Sequence, residues 1–314
     1  MKTREVEHDI TISAPATDVY RLLADVENWP ALFAPTVHVD YVERTREAER
    51  IHIWATANGE VKNWTSRRVL DPVERTIEFR QEVSAPPVAS MGGTWLVEPV
   101  SETESHVRLR HDYRAVGDDP DGLAWIEQAV DRNSRAELAA LKANVEVATD
   151  DLMFSFEDTV EINGSARDAY DFINEADRWE ERLPHVARVV LTEDEPGLQT
   201  LEMDTQTKDG STHTTKSVRV CFPNGKIVYK QITLPALLDL HTGVWQITEN
   251  HAGVAVSSEH TVVINKGNIE KVLGPDADVP QARDFVRTAL SGNSMATLQH
   301  AKEYAERAHA ASRA

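Results

Sequence analysis

Residues 6–26 read VEHDITISAPATDVYRLLADV, and the hydrophobic period changes partway along them. Val6, His8, Ile10 and Ile12 alternate with Glu7, Asp9 and Thr11, the pattern of a strand with one buried face. Pro15 suits the first turn of a helix, where its missing N–H costs nothing. Val19, Leu22, Leu23 and Val26 then follow at helical spacing. Asn28-Trp29-Pro30 breaks that helix, and Ala31-Leu32-Phe33 makes another short turn. Strand-like stretches recur near 37–43, 50–57, 61–70, 76–83, 91–99 and 107–115. Asn58-Gly59 marks a tight hairpin, while Asp71-Pro72 and Pro86-Pro87 separate strands. A long amphipathic helix closes the run, with Leu123, Ile126, Val130, Leu138, Leu141 and Val145 on one stripe. The order is strand, helices, six antiparallel strands, long helix. It predicts an α+β fold in which a curved sheet grips the final helix and leaves a cavity between them.

The same order occurs twice. Ser13-Ala14-Pro15-Ala16 lies 150 residues before Asn163-Gly164-Ser165-Ala166, as Trp29 does before Trp179 and Trp95 before Trp245. Ile77, Phe79 and Gln81 match Ile227, Tyr229 and Gln231 at that offset. Thr65-Ser66-Arg67-Arg68-Val69 aligns with Lys216-Ser217-Val218-Arg219-Val220 after a one-residue slip. Asn133-Ser134, Leu138, Lys142 and Glu146 match Asn293-Ser294, Leu298, Lys302 and Glu306 at an offset of 160. The second copy therefore carries an insertion, expected in the Gly-, Asp- and Pro-rich stretch 266–280. A unit this long is a domain rather than a solenoid repeat. The two domains are expected at residues 1–148 and 152–314, joined by a short linker at 147–152.

Composition excludes several classes of function. Apolar residues are 41% and charged residues 27%, which is globular rather than disordered. The net charge of −19 argues against nucleic acid or a membrane surface as the partner. A single cysteine, Cys221, rules out an intrachain disulfide and suits a reducing cytoplasm. Residues 1–8 do not resemble a signal peptide, and no apolar run approaches the roughly 18 residues that span a bilayer. The 12 histidines show no metal-binding spacing, so no metal is expected. Gly92-Gly93 is no nucleotide fingerprint, and no cofactor is expected.

Trp64-Thr65-Ser66-Arg67-Arg68 is the most unusual segment. Alternation puts Trp64, Ser66 and Arg68 on one face and Thr65 and Arg67 on the other. If the first face is concave, Arg68 stands in an apolar cavity, where a guanidinium is costly unless paired or used. Two plainer readings stand beside that one: Arg68 pairs with a carboxylate at the cavity mouth, or Arg67 is inside and Arg68 outside. Ser217 and Arg219 repeat the pattern in the second copy. His111, matched by His260, is either a proton-transfer group or a hydrogen-bonded strand histidine. Trp29, Phe33, Trp54, Trp64 and Trp95, with Trp125 on the closing helix, suggest flat aromatic walls in the first copy. The second copy keeps Trp179 and Trp245. Asn133 and Asn293 either cap a helical segment, the favoured reading, or place an amide in each cavity.

The element order resembles the helix-grip fold of the START or Bet v 1-like superfamily. Trp29-Pro30-Ala31-Leu32-Phe33, the Trp64-x-Ser66-x-Arg68 strand, Trp95 and Asn133-Ser134 resemble the aromatase/cyclases of bacterial type II polyketide synthases. The doubled architecture resembles their di-domain class. That resemblance implies Arg68 as the principal catalytic group, with Ser66 and His111 assisting and Trp29, Phe33, Trp54, Trp64, Trp95 and Asn133 shaping the pocket. It nominates Ser217, Arg219, Trp245, His260 and Asn293 in the second domain. The implied substrate is a poly-β-ketone on an acyl carrier protein, met among other synthase components. The implied reaction is first-ring aldol closure, its dehydration, or both. A tyrosine that some single-domain members place after the Trp-Pro run is replaced here by Ala34-Pro35-Thr36. The first domain, richer in tryptophan, is expected to hold the dominant site. The alternative from another class is a non-catalytic carrier of a lipid or aromatic ligand.

Overall fold

A computed structural model describes residues 3–45, 48–146, 151–206, 212–251 and 253–312. The chain divides into two compact units, Met1–Thr149 and Asp150–Ala314. Most of the linker anticipated at 147–152 lies outside the described residues.

The first unit opens with β1 (Arg4–Ile12), α1 (Ala16–Ala24) and α2 (Trp29–Leu32). Six strands follow: β2 (Thr36–Arg44), β3 (Ala48–Ala57), β4 (Glu60–Asp71), β5 (Thr76–Val83), β6 (Val88–Pro99) and β7 (Ser105–Ala115). Helix α3 (Pro120–Glu146) ends it. The sheet order is β1-β7-β6-β5-β4-β3-β2, and every pair is antiparallel. Successive strands are therefore neighbours, and only β1 crosses to the far edge. The β3–β4 hairpin turns at Asn58 and Gly59, both with positive φ (52° and 85°), as the two-residue hairpin loop needs.

The apolar face of this sheet packs on α1 and α3. Ile12, Leu23, Ile77, Leu109 and Leu141 are all under 2% exposed in one cluster. Burying each such side chain stabilises the fold by about 1.5–3 kcal/mol. Ile126 and Val130 of α3 anchor a second cluster with Tyr113 and Ala115.

The second unit repeats the plan with β8 (Met153–Ile162), α4 (Ala166–Asn174), α5 (Trp179–Arg182), β9 (Val186–Glu195), β10 (Leu198–Gln206) and β11 (Thr212–Phe222). It continues through β12 (Lys226–Thr233), β13 (Leu238–Asn250) and β14 (Gly253–Ile264). Its order, β8-β14-β13-β12-β11-β10-β9, is that of the first sheet. Between β14 and the long α7 (Val279–Ser312) stands α6 (Ile269–Leu273), inside the stretch read as an insertion. Ile269 packs with Leu237, Ile264, Ala282 and Val286, so the extra residues add a small core over the start of α7.

One local difference between the halves is testable. Ser165 caps α4 by accepting from the Asp168 N–H (3.0 Å), whereas Pro15 precedes α1 with no side-chain cap. Ser165→Ala is expected to lower stability by about 1 kcal/mol, read as a drop in Tm. An unchanged Tm would show that the cap contributes nothing. Among the described residues, no helix is long and apolar enough to cross a membrane.

Candidate active site

Strand β4 decides between the two arginines. Arg68 lies opposite Glu49, Ser66 opposite Ile51, and Trp64 opposite Ile53, so all three share the inner face. The register shift beside Ser66 inserts its extra residue on β5, which leaves the alternation of β4 intact. Ser66 and Arg68 are 2% and 1% exposed. Arg67 points outward and pairs with Glu82 at 2.8 Å.

The Arg68 guanidinium reaches the C-terminus of α1. Its Nη2 donates to the carbonyls of Leu23 (3.3 Å) and Ala24 (3.0 Å), which α1 leaves without helical partners. Its Nη1 lies 3.6 Å from Glu49, itself buried, and its plane sits 5.2 Å from the Trp29 ring. Burial pushes the Arg68 pKa down, and Glu49 opposes the shift. Nε and Nη1 make no hydrogen bond.

Arg219 repeats the placement in different company. Its Nη2 donates to the Ile173 carbonyl at the end of α4 (2.6 Å), and its guanidinium lies 5.3 Å from Trp179. The residue opposite is Gln199 where the first half has Glu49. Gln199 Nε2 bonds Glu193 (2.8 Å) and the end of α4 instead. No ion pair of Arg219 is found among the described residues, and its Nη1 has no hydrogen-bond partner.

Arg219 lines a cavity of about 110 Å³, together with Trp179, Ser217, Tyr229, His241, Trp245, His260, Asn293 and Thr297. One wall is a polar network. His241 Nε2 lies 2.9 Å from His260 Nδ1, and the Tyr229 hydroxyl lies 3.1 Å from His260 Nδ1 and 3.4 Å from His241 Nε2. Ser258 Oγ lies 3.1 Å from His260 Nε2. Burial and the adjacent His260 push His241 down to about 3. Burial pushes His260 down to about 4 against the pull of Asp158, and burial raises Tyr229. Both imidazoles are therefore neutral near pH 7. Gly243 makes room for this wall: a Cβ there would fall 2.4 Å from the Tyr229 ring and hydroxyl.

The first half has the same frame with less polar contents. Phe79, Gly93 and His111 stand across the ladder where Tyr229, Gly243 and His260 do in the second. Met91 takes the place of His241 and Leu109 that of Ser258. His111 meets Phe79 edge-on at 5.3 Å, and its Nδ1 has no hydrogen-bond partner. Burial, with His8 nearby, pushes His111 down to about 4. Glu137 on α3 occupies the position of cavity-lining Thr297, and burial pushes its carboxyl up to about 8. The sequence reading missed Tyr229, His241, Ser258, Glu49 and Glu137. The available signal was the exchange of Phe79, Met91 and Leu109 for polar residues at matched strand positions.

Two expectations need correction. Trp54 is no cavity wall, because Glu49, Ile51, Ile53 and Ala55 take the inner face of β3. Trp54 faces the other way, beside His52 (ring centroids 4.2 Å apart) and His38 (5.5 Å). Asn133 and Asn293 cap nothing, since α3 and α7 run unbroken through them. Asn133 Nδ2 donates to the Thr56 carbonyl (3.2 Å), and Asn293 lines the second cavity. Phe33 and Trp95 stack at 6.1 Å in the first core cluster, with Trp29 edge-on to Phe33 at 5.5 Å, and the matched Trp245 both joins the second cluster and lines its cavity. Trp64 packs on Val26, Ile51 and Ile53. Among the described residues there is no cluster of three metal-ligating side chains.

Comparison with known proteins bears on both halves. The family model for polyketide cyclase / dehydrase and lipid transport matches residues 3–146 and again 153–306. The granaticin polyketide synthase bifunctional cyclase/dehydratase of Streptomyces virginiae is 52% identical over 303 residues, covering 94% of this chain and 98% of the relative. The crystal structure of the di-domain ARO/CYC BexL from the BE-7585A biosynthetic pathway superposes with a TM-score of 0.88 at 65% identity. It covers 96% of this chain and 99% of that one. The di-domain ARO/CYC StfQ from the steffimycin biosynthetic pathway gives 0.85 at 37% identity, covering 96% and 98%.

Proposed function

The chain belongs to the polyketide cyclase/dehydrase and lipid transport family in both halves, and from that premise we propose that it is a di-domain polyketide aromatase/cyclase. Its substrate is a poly-β-ketone held by an acyl carrier protein, and it acts with the other components of a type II synthase. It closes the first ring by an aldol reaction and removes water to make that ring aromatic. We place it in the cytoplasm, where its one cysteine, the buried free thiol Cys221, stays reduced.

One observation carries the reading: each half aims a buried arginine inward with N–H donors unspent. A methylene between two ketones gives up its proton readily, so the reaction needs no strong base. It needs a folded chain and a donor for the oxygen that becomes an enolate or alkoxide. Arg68, with Ser66 beside it on the strand and His111 on the same sheet, is proposed to serve ring closure. Arg219, with Ser217 and His260, is proposed to serve the second cavity. Trp29, Trp64, Asn133, Trp245 and Asn293 are proposed to shape the two interiors.

The test is reconstitution with a minimal synthase, its carrier protein and a ketoreductase, followed by product profiling. The intact protein should raise first-ring aromatic product over the synthase alone. The double variant Arg68→Ala/Arg219→Ala, shown folded by circular dichroism, should return the profile to unguided shunt products. A folded double variant with the intact profile would end the enzymatic reading and leave the ligand carrier.

A further inference from the structure

Among the described residues, the second half builds a connected polar wall at strand positions where the first half places Phe79, Met91 and Leu109, although both halves share the frame. Four matched positions differ: Tyr229 for Phe79, His241 for Met91, Ser258 for Leu109 and Gln199 for Glu49. The last exchange removes the carboxylate opposite Arg219, and the first three assemble hydrogen-bonding groups beside it. Tyr229, His241, His260 and Arg219 all line one cavity.

We propose that the His241–His260 pair is the acid–base group that removes water from the cyclised intermediate, with Arg219 holding the oxygen that becomes the enolate. Tyr229 and Ser258 are its positioning residues. This assignment rests on the polyketide reading above.

The proton count supports the pairing. Across the 2.9 Å contact between His241 Nε2 and His260 Nδ1 only one nitrogen carries a hydrogen. The other is an acceptor, so a proton gained by the pair is shared over a short N–H···N bond. His241 Nδ1 has no partner and is the nitrogen left for chemistry. Ser258 at His260 Nε2 and the Tyr229 hydroxyl at both rings hold the two planes in register. Gly243 lets Tyr229 lie close enough to do so.

The step balances within the site. A C–H bond next to the ketone breaks, and its proton goes to the imidazole pair while its electrons make an enolate against Arg219. The enolate then re-forms the ketone, a carbon–carbon double bond forms, and the β C–O bond breaks. The leaving hydroxyl takes the proton back from the pair and departs as water. Water loss needs an acid at the leaving oxygen while the C–O bond breaks, whereas the alkoxide of ring closure can be held by an arginine and protonated afterwards. A pair that resists charging gives a strongly acidic imidazolium, suited to expelling hydroxide as water. The weak base this implies is enough for a C–H bond already acidified by its neighbouring carbonyls. Asp158, the charged group that pulls on His260, lies on the adjoining β8 and is held by Ser291 (2.7 Å) and Ser294 (2.9 Å) of α7. His185 and His213 also line the cavity.

The first half supplies fold-compatible replacements. His241→Met and Tyr229→Phe install the side chains that Met91 and Phe79 show the same frame accepts. The full-length variants are assayed in the reconstituted synthase with ketoreductase. The readout is the ratio of aromatised first-ring product to the ring-closed product that retains its water. His241→Met should lower that ratio by about 100-fold while total ring-closed product stays level. Tyr229→Phe should lower it about tenfold and move its pH profile, which a purely structural loss would not do. If Arg219→Ala lowers the ratio but folded His241→Met and Tyr229→Phe do not, the assignment to the pair is overturned and the polyketide reading stands. If His241→Met lowers total ring-closed product instead, the pair serves closure and the assignment again fails. If none of these, nor Arg68→Ala, alters the profile, the polyketide reading itself falls.

Discussion

Arg68→Ala is expected to lower first-ring product by roughly 100- to 1,000-fold, the usual cost of deleting an oxyanion donor. It is also expected to destabilise the first domain by about 3 kcal/mol, the low end for breaking a buried pair, because the buried Glu49 would keep only Arg44 (3.3 Å) as an ionic partner. The Ala24 carbonyl would lose its side-chain donor at the same time, while the Leu23 carbonyl would keep only the Trp29 Nε1–H (3.2 Å). Stability and activity therefore fall together, and the single variant cannot separate them. The second half shows how to do so, since Gln199 stands opposite Arg219 where Glu49 stands opposite Arg68. Arg68→Ala/Glu49→Gln removes the stranded charge and should recover most of the lost Tm without recovering product. Arg68→Lys keeps the charge but lacks the planar fork that reaches two carbonyls and leaves donors over, so it should also be impaired. A stable double variant with intact ring closure would reduce Arg68 to a structural clamp on α1.

Much of this was legible in the chain. Val6, His8, Ile10 and Ile12 alternate and then hand over to the period of Val19, Leu22 and Leu23, which is β1 followed by α1. Trp29 and Trp95 recur 150 residues later because the same strand order recurs. Period two along β4 put Arg68 on one face with Trp64 and Ser66, and the pairing with Glu49, Ile51 and Ile53 makes that face the inner one. What escaped the reading depends on contacts between strands. Nothing local to Tyr229 or His241 shows that they meet His260, since that needs the register of β12, β13 and β14 together. Trp54 looked like a wall because aromatic content was counted before faces were assigned, and β3 gives its inner face to Ile51 and Ile53. Asn133 looked like a cap because an amide beside Ser134 fits a helix start, yet α3 had already begun at Pro120.

The duplication has thus kept a frame and divided its contents. Arg68 is clamped by Glu49 and by the end of α1, beside a single histidine edge-on to Phe79. Arg219 has shed the carboxylate opposite it and gained a hydrogen-bonded wall. A holder for oxygen charge suits carbon–carbon bond formation, and a holder with an acid–base pair suits loss of water. The aromatic count had favoured the first domain as the dominant site. Phe33 and Trp95 pack in the core cluster of the first domain, and the second holds a cavity with a polar wall.

The two domains should also respond differently to mild acid. In the second, His241 and His260 are held down to about 3 and 4, while unfolded histidine titrates near 6.5. Below pH 6.5 the unfolded state therefore binds more protons than the native one, and stability falls as pH falls. Each such histidine contributes about 1.4 kcal/mol per pH unit. Because unfolded histidine is only half protonated at pH 6.5, the pair should cost the second domain about 3 kcal/mol between pH 6.5 and 5, on the order of 10 °C in Tm. His185 and His213, also lowered by burial, add in the same direction. In the first domain His111, held at about 4, has the same sign, but Glu137, raised to about 8, has the other. Native Glu137 keeps a proton that the unfolded carboxylate releases above about 4.5. Between pH 5 and 6.5 the two cancel; His52, which burial also lowers, adds a smaller loss, so the first domain should nearly hold its stability. Calorimetric unfolding of the full chain at pH 5 and 6.5 is expected to show one transition moving and one standing still. His241→Met should halve the movement of the first of these, and Glu137→Gln should set the stationary one moving downward in acid. Two transitions that shift in parallel in the intact protein, and ignore both substitutions, would mean that these interiors do not hold their histidines neutral or their glutamate protonated.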